Sequence, residues 1–290
     1  MGRAVSIDGS LTPPGEAKVS VYDRGFLYGD GVFETLRTYR GAPFALLDHL
    51  DRLESSARAV GIELPVSTGT LEVEIRQALS EAANPESYLR LMLTRGQGPM
   101  GLDPALATDP LRVILVEPLS PLPASIYRDG VPVITERTER ASDAAPGAKV
   151  MNYLAGMLAL QRAKAKGAHE ALMLDVEGYV LEGATSNFFL VIDGEILTTP
   201  SSLVLPGITR AHVIRCAERE GIGVRFGSIG QGDLNAATEA FLTSSLREIV
   251  PVVRVDRTRI GDGKPGRLTR KLHLAYRGVA GIADWPLPWE

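Results

Sequence analysis

The chain is poor in cysteine, in lysine and in long apolar runs, and each scarcity closes off a class of protein. A single cysteine, Cys216, among 290 residues permits no intrachain disulfide. Its neighbours, Ala211-His-Val-Ile-Arg-Cys-Ala-Glu-Arg, have helical character, so it reads as a small core residue. No apolar segment approaches the roughly 20 residues that a membrane span needs. Asp8 and Gly9 interrupt any apolar run after Arg3, so no signal peptide is expected and the cytoplasm is the default compartment. A net charge of −4 and a pI near 5.7 argue against nucleic acid or an anionic membrane as partner. The histidines, His49, His169, His212 and His273, show no metal-ligand spacing, so no metal site is expected. Internal repeats and low-complexity tracts are absent.

What is present is the composition of a globular protein, 44% apolar and 23% charged, long enough for two domains. Short strands are expected at residues 3–8 and at Lys18–Tyr22, then a longer one at Val32–Tyr39 after Gly29-Asp-Gly31. Leu47 to Val60 has helical spacing, with Leu47, Leu50, Leu53 and Ala57 on one face and Gly61 as the stop. A second helix covers about Thr70–Ala83, and strands follow at Ser87–Thr94 and Leu111–Val116. Prolines 118, 121 and 123 then suggest a stiff connector. The second half reads as a strand at Val131–Glu136, a helix over Asn152–Lys166, and strands at Glu170–Asp175 and Asn187–Ile192. Helices are expected at Thr209–Glu220, around Leu234 and near Leu268–Tyr276, with a buried strand at Ala240–Thr243. The mixture lacks regular alternation, so the expected class is α+β in two domains. Residues 1–117 would form a small N-terminal domain, 118–128 a linker and 129–290 a larger C-terminal domain.

Several residues could carry chemistry. Lys149 is one of only six lysines, and it precedes the nearly all-apolar Val-Met-Asn-Tyr-Leu-Ala-Gly-Met-Leu-Ala-Leu. A helix apolar all round is buried, so Lys149 is expected at the entrance to an interior helix. Desolvation and the helix dipole would there favour the neutral, nucleophilic amine. On spacing alone, a surface lysine of the Ala144-Ala-Pro-Gly-Ala loop is the favoured reading. Glu182 lies between a turn and a run of small residues, where it could be a solvated acid or a partner for a ring nitrogen. Gly207-Ile-Thr209 opens a helix and offers either a phosphate cradle or an ordinary threonine cap. Thr243-Ser-Ser245 is a second candidate cluster, and Arg52 could add a charge-assisted bond. Gly96-Gln-Gly-Pro-Met-Gly101 matches G-x-G-x-x-G, but Pro99 and Leu102-Asp-Pro104 spoil the helix a dinucleotide site requires. It reads instead as a substrate-pocket loop.

Together these stretches, above all Glu182-Gly-Ala-Thr-Ser-Asn-Phe-Phe and Leu205-Pro-Gly-Ile-Thr-Arg210, resemble the class IV (fold type IV) pyridoxal phosphate aminotransferases. The resemblance covers nearly the whole chain. It implies a small N-terminal α/β domain, a linker, a larger C-terminal pseudo-barrel domain and at least a homodimer. It makes Lys149 the Schiff-base lysine of pyridoxal 5'-phosphate, with Tyr153 at the ring oxygen and Glu182 at the pyridine nitrogen. Arg52, Leu205, Ile208, Thr209 and Ser245 complete the implied cofactor set. Phe33, Tyr88, Arg90 and Leu246 fall at substrate positions, and Tyr28 and Leu102 at positions borrowed by the partner subunit.

Tyr88-Leu-Arg90 looks like the branched-chain aminotransferases, and the loop lacks the Arg-x-His pair of D-amino acid aminotransferases. The expected reaction moves an amino group from an aliphatic L-amino acid to 2-oxoglutarate. Alternatives are an aminodeoxychorismate lyase, a D-amino acid aminotransferase, or a small-molecule-binding protein without the cofactor. Leu246-Arg247-Glu248 departs from the small residues usual there and puts branched-chain specificity in question.

Overall fold

Strand alternation builds the first sheet in this computed structural model, which describes residues 2–137, 145 and 147–290. The chain divides into two units, residues 1–120 with 148–153, and residues 121–147 with 154–290. The first unit holds β1 (Ala4–Ile7), β2 (Ser10–Thr12), β3 (Gly31–Tyr39), β4 (Ala42–Pro43), β5 (Ser87–Thr94) and β6 (Leu111–Pro118). Their order is β2-β1-β6-β5-β3-β4, antiparallel throughout. Val32 and Leu36 of β3 share a face with Leu89, Leu91 and Leu93 of β5, as period-two alternation requires. Against that face pack α2 (Leu46–Ala59) and α3 (Thr68–Ala82), while the one-turn α1 (Arg24–Tyr28) precedes β3. Ala148–Tyr153 joins this unit beside β3: Phe33 N donates to Lys149 O at 2.9 Å and Met151 N to Gly31 O at 2.8 Å.

In the second unit, α4 (Ala124–Arg128) and β7 (Val131–Arg137) lead to α5 (Leu154–Ala165), β8 (Glu170–Leu174), β9 (Val180–Gly183), β10 (Asn187–Ile192) and β11 (Glu195–Thr198). After α6 (Ile208–Arg219) come β12 (Val224–Phe226), α7 (Gln231–Ala236), β13 (Glu239–Ser244), β14 (Glu248–Val255), β15 (Thr258–Arg259) and α8 (Arg267–Val279). The sheet runs β12-β11-β10-β13-β14-β7-β8-β9, with β15 on β14. It curls, so that β9 at one end of that order lies beside β10 again: Gly183 N donates to the carbonyl of Ser186, just before β10, at 2.8 Å, and Thr199 Oγ1, just after β11, donates to Val180 O at 3.0 Å. Phe188, Leu190, Leu197, Leu242, Val250 and Val252 fill the inside of the curl. The other face of β10 is buried too, with Phe189 stacked on Phe241 at 4.8 Å. A strand buried on both faces reads as a continuous apolar run, which is what Phe188–Ile192 is. The architecture is α+β, as the order of elements implies.

Four expectations need correction. Lys18–Tyr22 is not a strand: Val19 and Val21 alternate in sequence, yet both are exposed and the segment pairs with no strand among the described residues. On α2 the buried face is set by Leu46, Leu50, Leu53 and Ala57, and Leu47 is 64% exposed. The α5 helix is not interior, since only Ala159 and Ala163 are buried and Leu154 and Met157 are largely exposed. Lys149 therefore does not stand at the mouth of a buried helix but lies on the segment paired with β3, before α5 begins at Leu154. Ala144 and Pro146 of the loop before it lie outside the described residues. Of 118–128, the last five residues form α4. No helix among the described residues is long and apolar enough to cross a membrane.

Candidate active site

In the first unit the site begins with the backbone of Lys149. Its N–H donates to Ser56 Oγ at 3.0 Å and its carbonyl accepts from Phe33 N, so the residue is fixed from both sides. Its Nζ donates to Tyr153 Oη at 3.1 Å and lies 4.5 Å from the centroid of the Phe33 ring. Phe33 and Tyr153 meet edge to face at 5.1 Å, a favoured aromatic geometry. Strand alternation puts Arg90 on the Phe33 side of the sheet, and its guanidinium carbon sits 3.9 Å over that ring. Tyr88, two residues before Arg90, shares that face and lies opposite Arg37. Lys149, Tyr153, Phe33 and Arg90 thus form one cluster.

On the opposite face, Glu34 points among the helices. Arg52 grips it with two bonds, Nε to Oε1 and Nη2 to Oε2, each 2.7 Å. His49 Nδ1 lies 2.7 Å from Oε2. His49, Arg52 and Ser56 recur at helical spacing on the buried face of α2. Burial by itself would raise the Glu34 pKa, but the Arg52 charge and the bonds from Arg52 and His49 prevail and hold it at about 2. Burial pushes the His49 pKa down. Glu34 and His49 were not singled out in the sequence. The available signal was a carboxylate in register with buried Val32 and Leu36, which demands a buried cation.

Tyr28 and Leu102 are also tied within this unit. Gly101 N donates to Tyr28 Oη at 3.1 Å, and buried Arg24 donates to the Gly101 carbonyl at 2.8 Å. Asp30 receives Arg24 Nε and Arg95 Nε, each at 2.9 Å. Leu102 itself is 81% exposed. At Gly96, φ is +92° and a Cβ would strike the Asp109 carbonyl, so glycine is required there by backbone geometry rather than by a phosphate. Only the short 3-10 turn Pro104–Leu106 follows this loop, not the helix of a dinucleotide site.

In the second unit the carboxylate of Glu182, at the end of β9, is buried. Its Oε2 accepts from Asn187 Nδ2 and from Leu205 N, each at 3.0 Å. Asn187 also donates to Leu205 O at 2.9 Å, so one amide orients the acid and the loop that precedes α6. That helix has Gly207 as its N-cap with no side-chain cap, which leaves its first-turn amides without intrahelical acceptors. Thr209 is buried in this first turn. Arg210 bonds Ser201 Oγ and Thr199 O, each at 2.7 Å, and fixes the loop from below. Burial lowers the Arg210 pKa, against the opposing pull of the Glu182 charge. Opposite Asn187 across the β10–β13 ladder stands Thr243, whose buried hydroxyl has no hydrogen-bond partner among the described residues. Ser245 and Leu246 are half-buried in the turn from β13 to β14.

Two outcomes follow from this geometry. Gly207 has φ −63°, open to any residue, but a Cβ there would collide with Asn187 Oδ1. Gly207→Ala is expected to displace Asn187 and the carboxylate it orients, lowering kcat by about 10²-fold. Steady-state rates beside the thermal unfolding midpoint check this, and an unchanged kcat would contradict it. His169, next to β8, has its pKa lowered to about 4 by burial and by the charges of Arg247 and Lys164. Its ordinary value is about 6.5, so between those values the unfolded chain binds more protons. The stabilisation is full above pH 6.5 and is lost as pH falls through 4. Unfolding midpoints measured from pH 7 to 4 should fall more steeply for the wild type than for His169→Asn; parallel curves would remove the assignment.

Residues 31–255 match the family described as Amino-transferase class IV. A putative branched-chain-amino-acid aminotransferase of Methanocaldococcus jannaschii is 37% identical over 95% of this chain and 96% of its own. A D-alanine aminotransferase of Bacillus licheniformis is 32% identical over 94% of this chain and 95% of its own. Among solved structures, the branched-chain amino acid aminotransferase of Escherichia coli is 30% identical. It superposes with a TM-score of 0.91 over 100% of this chain and 98% of that one. A second branched-chain amino acid aminotransferase, solved with pyridoxamine 5'-phosphate, is 33% identical, with a TM-score of 0.91 over 97% of this chain and 95% of that one. The chain belongs to the class IV aminotransferase family.

Proposed function

We propose that this aminotransferase takes its amino group from an aliphatic L-amino acid, gives it to 2-oxoglutarate, and uses Lys149 as its catalytic residue. The cofactor is pyridoxal 5'-phosphate, and the residues present suit it. The buried, unpartnered Thr243 hydroxyl and the uncapped start of α6 are the kind of groups a phosphate satisfies. Ile208, Thr209, Ser245 and Arg52 are the residues we assign to that phosphate, and Leu205 we assign to the ring beside Glu182. Bound to the protein, the cofactor supplies an electron-withdrawing ring that stabilises negative charge at the substrate Cα.

The chain's own residues do the rest. Lys149 Nζ would hold the cofactor through its aldehyde and would move the proton at the substrate Cα. Tyr153 orients that amine, and Phe33 shields it from water on one side. Glu182, kept in place by Asn187 and the Leu205 amide, would hold a proton at the ring nitrogen. Arg90, at the Phe33 ring, receives the side-chain carboxylate of the dicarboxylic partner, and Tyr88 borders the aliphatic one. Leu246 is a residue we assign to the substrate, whose carboxylate backbone N–H groups of this turn would hold. Tyr28 and Leu102 serve the partner subunit's site in a homodimer.

The observation that carries this reading is the Lys149 amine bonded to Tyr153 over the Phe33 ring. A donor panel with 2-oxoglutarate tests it, using L-leucine, L-valine, D-alanine and an aromatic (R)-amine. L-Leucine and L-valine are expected to turn over fastest. Similarity to a D-alanine aminotransferase favours a second reading, and fastest turnover of D-alanine would establish that one instead.

A further inference from the structure

The β13–β14 turn carries Ser245 and Leu246, and what holds it is visible in the fold. Arg247 spends each guanidinium nitrogen on a partner in the protein itself. Its Nε donates to Ser244 Oγ at 2.9 Å and its Nη1 to Glu170 Oε2 at 2.8 Å. Its Nη2 donates to Thr185 Oγ1 at 2.7 Å and to the Thr185 carbonyl at 3.1 Å. Glu170 is fully buried on β8, and its other oxygen accepts from Thr185 N at 2.5 Å and Thr185 Oγ1 at 2.8 Å. Thr185 belongs to the short turn between Glu182 and Asn187. One buried carboxylate and one guanidinium thus join two turns, the one after Glu182 and the one bearing Ser245. From the other side, Tyr127 Oη donates to the Arg247 carbonyl at 3.1 Å.

We propose that Arg247 is a positioning residue that, through Glu170 and Thr185, locks the Ser245–Leu246 turn to the turn between Glu182 and Asn187, and is not a receptor for a substrate carboxylate. The proposal rests on the reading above that Ser245, Leu246 and Glu182 serve cofactor and substrate. Every nitrogen of the Arg247 guanidinium already donates to a protein oxygen, which leaves no nitrogen free to receive a substrate carboxylate. Any substrate carboxylate drawing Arg247 away would leave Glu170 buried and unpaired, which is the costlier state. The arginine that breaks the small-residue pattern at this turn therefore leaves the choice between monocarboxylic and dicarboxylic donors unchanged.

The test compares Arg247→Met, Arg247→Lys, Glu170→Gln and the Arg247→Met/Glu170→Gln double variant. Three quantities are read: the unfolding midpoint of cofactor-free protein, the dissociation constant of pyridoxal 5'-phosphate by absorbance titration, and KM and kcat for L-leucine and L-glutamate. Arg247→Met and Glu170→Gln should each weaken cofactor binding by about tenfold, the size of one coupled contact. Each should lower kcat for both donors alike and leave the ratio of their KM values unchanged. The double variant should be no worse than the poorer single one. Arg247→Lys keeps the charge without the fork and should recover only part of the loss. A KM rise confined to L-glutamate in Arg247→Met would overturn the proposal, as would independent, additive effects in the double variant. Should Arg247→Met fail to fold, Arg247→Lys and the near-isosteric Glu170→Gln give the same comparison. If no donor is transaminated, the functional reading fails, while the cofactor-free midpoints still report whether Glu170 and Arg247 act as a unit.

Discussion

Lys149→Ala is expected to abolish measurable amino transfer while leaving the protein folded. The contacts that place residue 149 are made by its backbone, to Ser56 Oγ and from Phe33 N, and alanine keeps both. What disappears is the amine at the Tyr153 hydroxyl. Loss of a positioned acid–base group alone costs about 10²–10⁴-fold, and loss of the covalent attachment adds to this. Steady-state turnover is one measurement. Borohydride treatment followed by peptide mapping is the other, and it should place the cofactor adduct on Lys149 in the wild type and nowhere in the variant. Turnover near the wild-type rate in Lys149→Ala would end the assignment. An unfolding midpoint that stays close to the wild-type value would show that the loss is chemical rather than structural.

Glu34→Ala is expected to have the opposite signature, a large loss of stability. It leaves the nearly buried Arg52 without the carboxylate that takes two of its donors and that also meets His49. Removing one partner of a buried ion pair costs about 3–5 kcal/mol. In a protein of this size that lowers the unfolding midpoint by roughly 10 °C. The same pair should show in acid. The Glu34 pKa of about 2 in the fold lies below its ordinary 4.5, so its stabilisation is present above pH 4.5 and drains away as pH falls towards 2. Denaturant midpoints for the wild type and Glu34→Gln should therefore converge as pH falls from 5 to 2. Midpoints that remain equally far apart across that range would show that the charge on Glu34 is not what stabilises the fold.

Elements whose pattern is local were legible from the residues alone. The Ser87–Thr94 and Asn187–Ile192 strands begin and end where their composition says. The α6 and α8 helices were found to within a few residues because their Gly-bounded apolar periodicity is self-contained. The strand Glu248–Val255 was missed, because Pro251 stands in its middle and proline usually excludes a central strand. It is accommodated here opposite Phe241 on β13. Lys18–Tyr22 misled for the converse reason, since alternating valines make a strand only where another strand supplies hydrogen bonds. Lys149 was picked out by type and by resemblance, but its neighbours could not be. The ladder to β3 spans more than a hundred residues of sequence, and no local pattern reports it. The same holds for Glu170 with Arg247, where an apolar strand conceals one charge whose partner lies far along the chain.

The return of residues 148–153 to the first unit, after the excursion of 121–147, also bears on how the chain is made. A polypeptide leaves the ribosome from its N-terminus, and domains tend to fold as they emerge. Here residues 1–120 emerge first, but the edge beside β3 must wait for residue 153. Cutting the gene after residue 120 would yield a fragment with an open β-edge and without the Lys149 amine. The segment bearing Lys149 is thus the last piece to reach the unit it completes, so the fold's closure and the amine proposed as catalytic are delivered by the same six residues.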